Sequence, residues 1–176
     1  MGGVGSRQSY LSAQAEMRLG IISDTHGLLR PEVHDVFSQV DRILHAGDVG
    51  DQDILDELAL LAPVTAVFGN TDGPPLRDRL PEVAEVMIDG FQFVVTHGDQ
   101  LGSPDPEGLK AMFPEADVIL YGHTHRPLIY DFDDYVVTLN PGSAGPKRFD
   151  LPVSVAIMET EPGIPPRARI VPLLKR

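Results

Sequence analysis

The chain has 176 residues, enough for one domain with a substantial buried core, and its 42% apolar content excludes disorder as the overall state. It contains no cysteine, so disulfides and thiolate metal ligands are excluded. Acidic residues outnumber basic ones 26 to 14, a formal net charge of −12, so a phosphate backbone meets repulsion and nucleic-acid binding is not expected.

Residues 1–16 lack hydrophobic periodicity and read as a flexible leader ahead of a single domain over residues 17–176. Met1-Gly2 with Ser6 matches the N-myristoylation pattern, but a long or misassigned start is the favoured reading. Met17 opens directly into the first apolar run and looks like a natural beginning. No secretory signal is visible, and no apolar stretch approaches the ~20 residues that span a bilayer. A soluble cytoplasmic protein with no membrane partner is the expectation.

The first half alternates strand and helix. A strand over residues 19–23 leads to a helix from Pro31, a good first-turn residue, to about residue 39. A strand follows at 42–45, then a helix over 52–61 with Ile54, Leu55, Leu58 and Leu61 at helical spacing. A strand at 64–68 completes a βαβαβ unit, which implies a parallel sheet with right-handed crossovers. In the second half, strands at 83–88 and 91–96 flank Asp89-Gly90, a type I′ hairpin signal. A short helix at 107–113 and a strand at 118–121 follow. A second hairpin is expected from 129–132 and 135–139 around Asp133-Asp134. The proline-rich turn at 162–166 then sets off an alternating strand at 167–171. A parallel half joined to an antiparallel half fits an α/β fold, a two-sheet sandwich with helices outside.

Metal-liking residues close five of these apolar runs. Asp24 and His26 follow the first strand, Asp48 the second and Asn70 the third. His97 follows the strand at 91–96, and His123 and His125 follow that at 118–121. In open α/β folds such strand ends line one edge, where sites form. Three carboxylate or amide groups and four imidazoles exceed the needs of one tetrahedral metal but suit two metals sharing a bridge. With no thiolate available, Mn, Fe, Ni, Co or Zn are favoured. In an extended segment residues i and i+2 point the same way, so Asp24 with His26, or His123 with His125, can reach one metal or split between two. Asp48, in a glycine-flanked turn, is the candidate bridge. His34 is read as solvated on a helix surface, and His45 as packing beside the site rather than as a ligand.

Asp-x-His, Gly-Asp, Gly-Asn, His-Gly and Gly-His-Thr-His, in this order, resemble the calcineurin-like metallophosphoesterase superfamily. The short length and Asn140-Pro141-Gly142-Ser143 resemble its small single-domain branch of YfcE-like phosphodiesterases. The resemblance covers residues 18–174 and implies the two-sheet metallophosphoesterase sandwich, with mixed sheets flanked by helices. It implies one metal on Asp24, His26, Asp48 and His125, and a second on Asp48, Asn70, His97 and His123. Two divalent ions are expected, with manganese favoured. The implied reaction is hydrolysis of a small phosphate ester, with a diester favoured, by in-line attack of a hydroxide shared between the metals. No protein nucleophile is required.

Many members carry histidine directly after the Gly-Asn asparagine, where it resembles a general acid. Here Thr71 and Asp72 stand in that place, and threonine cannot deliver a proton at a useful pKa. Both are candidates for substrate contact or support of the site, and poor leaving groups are expected to react slowly. The loops at 73–81 and 98–106 adjoin the site, and Lys147 and Arg148 are candidates to meet a phosphate. Two other readings remain: a non-catalytic interaction scaffold, resembling the Vps29 subunit of retromer, and a phosphomonoesterase or protein phosphatase. Self-association is compatible with any of them.

Overall fold

The computed structural model describes residues 16–174. The expected leader, apart from Glu16, and the myristoylation pattern at Met1, Gly2 and Ser6 therefore lie outside the described residues.

Two five-stranded sheets stack face to face. The first half forms β1 (Met17–Ile22), α1 (Pro31–Val36), β2 (Arg42–His45), α2 (Gln52–Ala59) and β3 (Val64–Ala66), and the three strands pair in parallel. After α3 (Pro74–Arg77) come β4 (Val83–Ile88), β5 (Phe91–Thr96), a 3₁₀ turn at Asp99–Leu101, α4 (Pro106–Met112), β6 (Val118–Leu120), β7 (Leu128–Asp131) and β8 (Val137–Asn140). The chain closes with β9 (Ser154–Glu161) and β10 (Ile164–Pro172). The strand orders are β10-β9-β1-β2-β3 and β4-β5-β6-β8-β7.

Alternation along the strands explains the layering. Leu19 and Ile21 of β1, Leu44 of β2, Phe93 and Val95 of β5, and Leu120 of β6 point into one core between the sheets. Their neighbours face outward under helices: Ile22 and Ile43 pack with Val33, Phe37, Leu55 and Leu58 of the α1–α2 side. Val94 and Ile119 pack against Leu109 of α4. Strands covered on both faces read as near-continuous apolar runs, which is why these were plain in the sequence. Gly20 leaves room for Phe37, whose ring atoms would lie 3.0 Å from a Cβ there. Phe37 leaves helical geometry at the end of α1, which stops at Val36, short of the expected residue 39.

Asp89 and Gly90 both take left-handed backbone (φ 50° and 85°), as the type I′ turn between β4 and β5 requires. The second hairpin differs from expectation. Its strands end at Asp131 and restart at Val137, and Tyr135, not the Asp133-Asp134 pair, takes the left-handed position (φ 67°). Parallel and antiparallel pairing are also not divided between chain halves. β9 inserts antiparallel beside β1 in the first sheet, and β5, β6 and β8 are mutually parallel in the second. β9 lies outside the elements expected from the sequence; its apolar run, Val155–Met158 inclusive, is buried on both faces, and Pro152 before it and Pro162-Gly163 after the strand set it off. The turn before β10 is shorter than expected, because Pro165 and Pro166 already belong to that strand. An edge strand with a register shift between Ile164 and Arg167 tolerates their missing N–H groups. The loop expected at 73–81 contains α3, begun by Pro74 and Pro75. Among the described residues no helix is long and apolar enough to cross a membrane.

Candidate metal centre

The carboxyl ends of β1, β2 and β3 meet those of β5 and β6, and the seven expected donors gather there. Asp24 Oδ1 lies 3.1 Å from His125 Nε2, 3.8 Å from His26 Nε2 and 3.9 Å from His97 Nε2. Asp48 Oδ2 lies 3.2 Å from His97 Nε2 and 3.8 Å from His26 Nε2. Nε2 atoms of His26 and His125 approach to 3.3 Å. Two sets of three donors emerge, Asp24-His26-His125 and Asp24-Asp48-His97, with the donor atoms of each within 4.8 Å of one another. Asn70 Oδ1 stands 3.1 Å from both His97 Nε2 and His123 Nδ1, adding the remaining two residues to the second set.

The local backbone differs from the extended picture. Asp24, His26, Asp48, His123 and His125 have φ of 55°, 46°, 53°, 68° and 58°, all left-handed. The i, i+2 residues share a direction through tight turns after the strands, not through extended chain. Such conformations cost about 1–3 kcal/mol each and persist only where surrounding contacts hold them. Those contacts are dense. Asp24, His26 and Gly27 donate their N–H groups to the carbonyls of Gly47, Asp48 and Val49, so the first two turns are laced together. Asp72 is buried and accepts N–H bonds from Val49, Gly50 and Gly69 (3.1, 2.8 and 2.8 Å), tying the second turn to the third. This carboxylate is a brace beneath the site and faces backbone on every recorded bond.

His45 has the packing role expected of it. The Gly47 N–H donates to its Nδ1 (3.2 Å), so Nε2 carries the proton and donates to Thr25 Oγ1 (3.0 Å), which donates to Val49 O (2.8 Å). The ring is wholly buried, and burial pushes its pKa down to about 4 despite the nearby charges of Asp24 and Asp72. It is neutral and structural at physiological pH.

Residues after β8 complete the support. Asn140 Nδ2 donates to Gly122 O and to Thr124 Oγ1 (2.8 and 3.0 Å), which shapes the Gly-His-Thr-His turn. Ser143 Oγ donates to Asp24 O (2.9 Å), and the Gly145 N–H donates to the same carbonyl (3.2 Å). Ser23 Oγ lies 2.7 Å from Asp24 Oδ2, which also accepts the His123 N–H (3.2 Å). In the sequence Ser23 shows only as a polar residue after an apolar pair, a signal common in any protein, and Asn140 only as the start of the Asn-Pro-Gly-Ser segment, with no role attached to its side chain.

Electrostatics and hydrogen bonding say what the arrangement can hold. Asp24 Oδ1 is buried and has no hydrogen-bond partner, a costly state for a carboxylate oxygen unless a cation meets it. His97 Nδ1 faces Ala46 O at 2.8 Å and His123 Nε2 faces Gly102 O at 3.0 Å. A carbonyl only accepts, so those nitrogens carry the protons, and the opposite lone pairs face Asn70 Oδ1 and, for His97, Asp48. Lone pairs that converge without a proton between them fit a cation. Lacking one, His97 takes up a proton: burial opposes its charge, but the Asp48 hydrogen bond and the Asp24 and Asp48 carboxylates lift its pKa to about 9. Burial also works against the Asp48 charge, yet His97 and the Thr71 N–H (2.9 Å) hold its carboxyl well below the usual range. His26 is lowered, mainly by burial, with Asp24 and Asp48 opposing and Arg148 and His125 adding to the effect. Nitrogen and oxygen donors in this number fit divalent transition metals.

The remaining expected residues sit around this centre. Thr71 Oγ1 is 3.5 Å from His26 Nδ1, and its backbone N–H serves Asp48. Lys147 and Arg148 are exposed, with Arg148 close enough for its charge to oppose protonation of His26. His34 is not simply solvated; its Nε2 lies 2.8 Å from Glu57, linking α1 to α2.

Known proteins resemble this chain in sequence and in fold. A model of the calcineurin-like phosphoesterase superfamily domain matches residues 17–163. A protein of Methanothermobacter thermautotrophicus described as a probable metallophosphoesterase is 41% identical over 156 residues, 82% of this chain and 87% of its own. A phosphodiesterase of Methanocaldococcus jannaschii is 30% identical over 162 residues, covering 82% of this chain and 94% of its own. Among solved structures, vacuolar protein sorting 29 of Cryptosporidium parvum superposes with a TM-score of 0.75 over 89% of this chain and 97% of its own, at 21% identity, a likeness of fold alone. With nearly the whole described fold matched, and with carboxylates and imidazoles meeting at its strand ends, the chain belongs to the calcineurin-like phosphoesterase superfamily.

Proposed function

We propose that this chain is a dinuclear-metal-dependent phosphodiesterase. The observation that carries the reading is Asp24 Oδ1, buried without a hydrogen-bond partner and facing three imidazole Nε2 atoms at 3.1, 3.8 and 3.9 Å. In this reading Asp24, His26, Asp48 and His125 hold one divalent ion, and Asp48, Asn70, His97 and His123 hold the other, manganese being favoured. When bound, the pair of ions would lower the pKa of a bound water to about 7 and supply a Lewis-acid hold on the phosphate oxygens.

The chain's own residues do the positioning. Ala46 O and Gly102 O orient the His97 and His123 rings, so that lone pairs and not N–H groups face inward. Asp48 Oδ2 lies between His97 and His26, which suits a shared ligand, and the Thr71 N–H holds its other oxygen. Asn70 adds a neutral donor and limits the negative charge that a phosphate must meet. Arg148 stands exposed beside the His26 side and offsets charge on an arriving anion. Thr71 occupies the place of a proton donor without an acidic group, so the leaving group departs with little help from the protein. A diester with a good leaving group suits such a site.

The four inward imidazoles also argue against a purely structural role. Unbridged, the 3.3 Å approach of His26 and His125 sets two nitrogens against each other with at most one proton between them. The test is metal content after gentle purification and Mn²⁺ reconstitution, with hydrolysis of bis-p-nitrophenyl phosphate. Roughly two ions per chain together with metal-dependent hydrolysis is the expected result. No metal uptake and no hydrolysis would support an interaction scaffold instead.

A further inference from the structure

A cleft of about 600 Å³ opens beside the metal centre, between residues 102–106 and 123–128. His123 belongs to both: its Nδ1 faces Asn70, while its Nε2 is bonded to Gly102 O on the cleft rim. The cleft is far larger than a phosphate needs and falls within the roughly 300–1,000 Å³ typical of small-molecule sites.

Its lining has a definite chemistry. Ser103 and Thr124 contribute hydroxyls, Asp105 a carboxylate and Arg126 a guanidinium. Thr124 Oγ1 accepts from Asn140 Nδ2 and from the Arg126 N–H (3.0 and 3.4 Å), which leaves its own proton to donate outward. Asp105 Oδ1 is taken by the Gly108 N–H at the start of α4, which leaves its other oxygen to accept. One acid and one base give the wall no net charge, so a second phosphate has no advantage there. Donors and acceptors side by side match hydroxyl groups, which are both. Pro104, Pro106 and Pro127 add rigid apolar faces, so the cleft is formed before a ligand arrives and little ordering is required.

We propose that this cleft receives the non-leaving ester arm of the substrate, and that the arm is an uncharged, hydroxyl-bearing group of nucleoside size. The inference rests on the phosphodiesterase reading above and deepens it: a monoester leaves the cleft empty, whereas a sugar- or nucleoside-bearing diester fills it while its phosphorus lies at the metal centre.

Three substrates sharing one leaving group test this on the Mn²⁺-loaded full chain: p-nitrophenyl phosphate, methyl p-nitrophenyl phosphate and thymidine 5′-(p-nitrophenyl) phosphate. The thymidine ester is expected to exceed the methyl ester in kcat/KM by about tenfold, the worth of one or two good hydrogen bonds. Ser103→Trp, which fills the cleft, should bring that ratio close to one. Arg126→Ala, at an exposed side chain with no recorded ion pair among the described residues, should reduce it by about threefold. It also serves if the tryptophan variant does not fold. A wild-type ratio at or below one overturns the proposal, and so does a ratio that survives in every folded variant. Absence of p-nitrophenolate from all three esters, with metal bound, instead removes the phosphoesterase reading itself.

Discussion

Nε2 of His97 lies 3.2 Å from Oδ2 of Asp48, and the same carboxylate oxygen lies 3.8 Å from Nε2 of His26. One oxygen thus faces imidazoles carried by two different sheets, His97 after β5 and His26 after β1. Asp48→Asn keeps the shape and can keep the Thr71 N–H bond, but removes the charge that, in the proposed reading, holds two cations together. Hydrolysis of bis-p-nitrophenyl phosphate should fall at least about a hundredfold, beyond the 10–100-fold typical of losing an outer partner of a ligand. Activity within a factor of a few of wild type, at saturating Mn²⁺, would reject Asp48 as the shared ligand.

Acid stability of the metal-free protein should report His45. Its folded-state pKa of about 4 lies below its ordinary 6.5, so the unfolded chain binds the proton first as pH falls. The contribution of His45 is therefore full above pH 6.5 and declines toward pH 4. His26, also lowered, adds in the same direction. His97, raised to about 9, is protonated in both states across this window and acts instead above pH 6.5, where its contribution fades. Urea unfolding at pH 4.5 and 6.5 in the presence of chelator should show a smaller difference for His45→Gln than for wild type. Equal differences would mean that His45 is not the titrating group.

Gly122→Ala should damage the site without replacing any candidate donor. A Cβ there would collide with Ser23 Oγ and come within 2.7 Å of Asp24 Oδ2 and 3.1 Å of Ala46 O. Overpacking of this kind costs about 1–3 kcal/mol. Thermal denaturation should show the loss in the metal-free protein, and metal affinity should weaken as Asp24 shifts. Unchanged melting and unchanged affinity would show that the turn relaxes freely.

Leaving-group dependence tests Thr71. Without an acid there, rates along an ester series should fall steeply as leaving-group pKa rises, with nitrophenyl esters cleaved readily and alkyl esters poorly. A positioned acid contributes about 10²–10⁴-fold only where a proton is needed. A shallow series, with chemistry shown to limit the rate, would reveal another proton donor.

The five strand ends, the Asp89-Gly90 turn and the list of seven candidate donors that gather at one edge follow from the sequence by itself. These features are local: an apolar run covered on both faces, a turn dipeptide, a ligand type at the end of a strand. The sequence did not announce β9, whose apolar stretch resembles any buried segment until β1 and β10 flank it. Nor did it show that Asp72 braces three turns, or that Ala46 and Gly102 set the protons on His97 and His123. The left-handed conformations of Asp24, His26, Asp48, His123 and His125 belong to the same group, because no propensity of Asp or His requires them. They exist because N–H and carbonyl groups from turns 22 or more residues apart in sequence hold one another in place. Which residues could bind metal was a matter of side-chain chemistry. Where their lone pairs point, and what cleft opens beside them, depended on contacts that form only when both sheets are stacked.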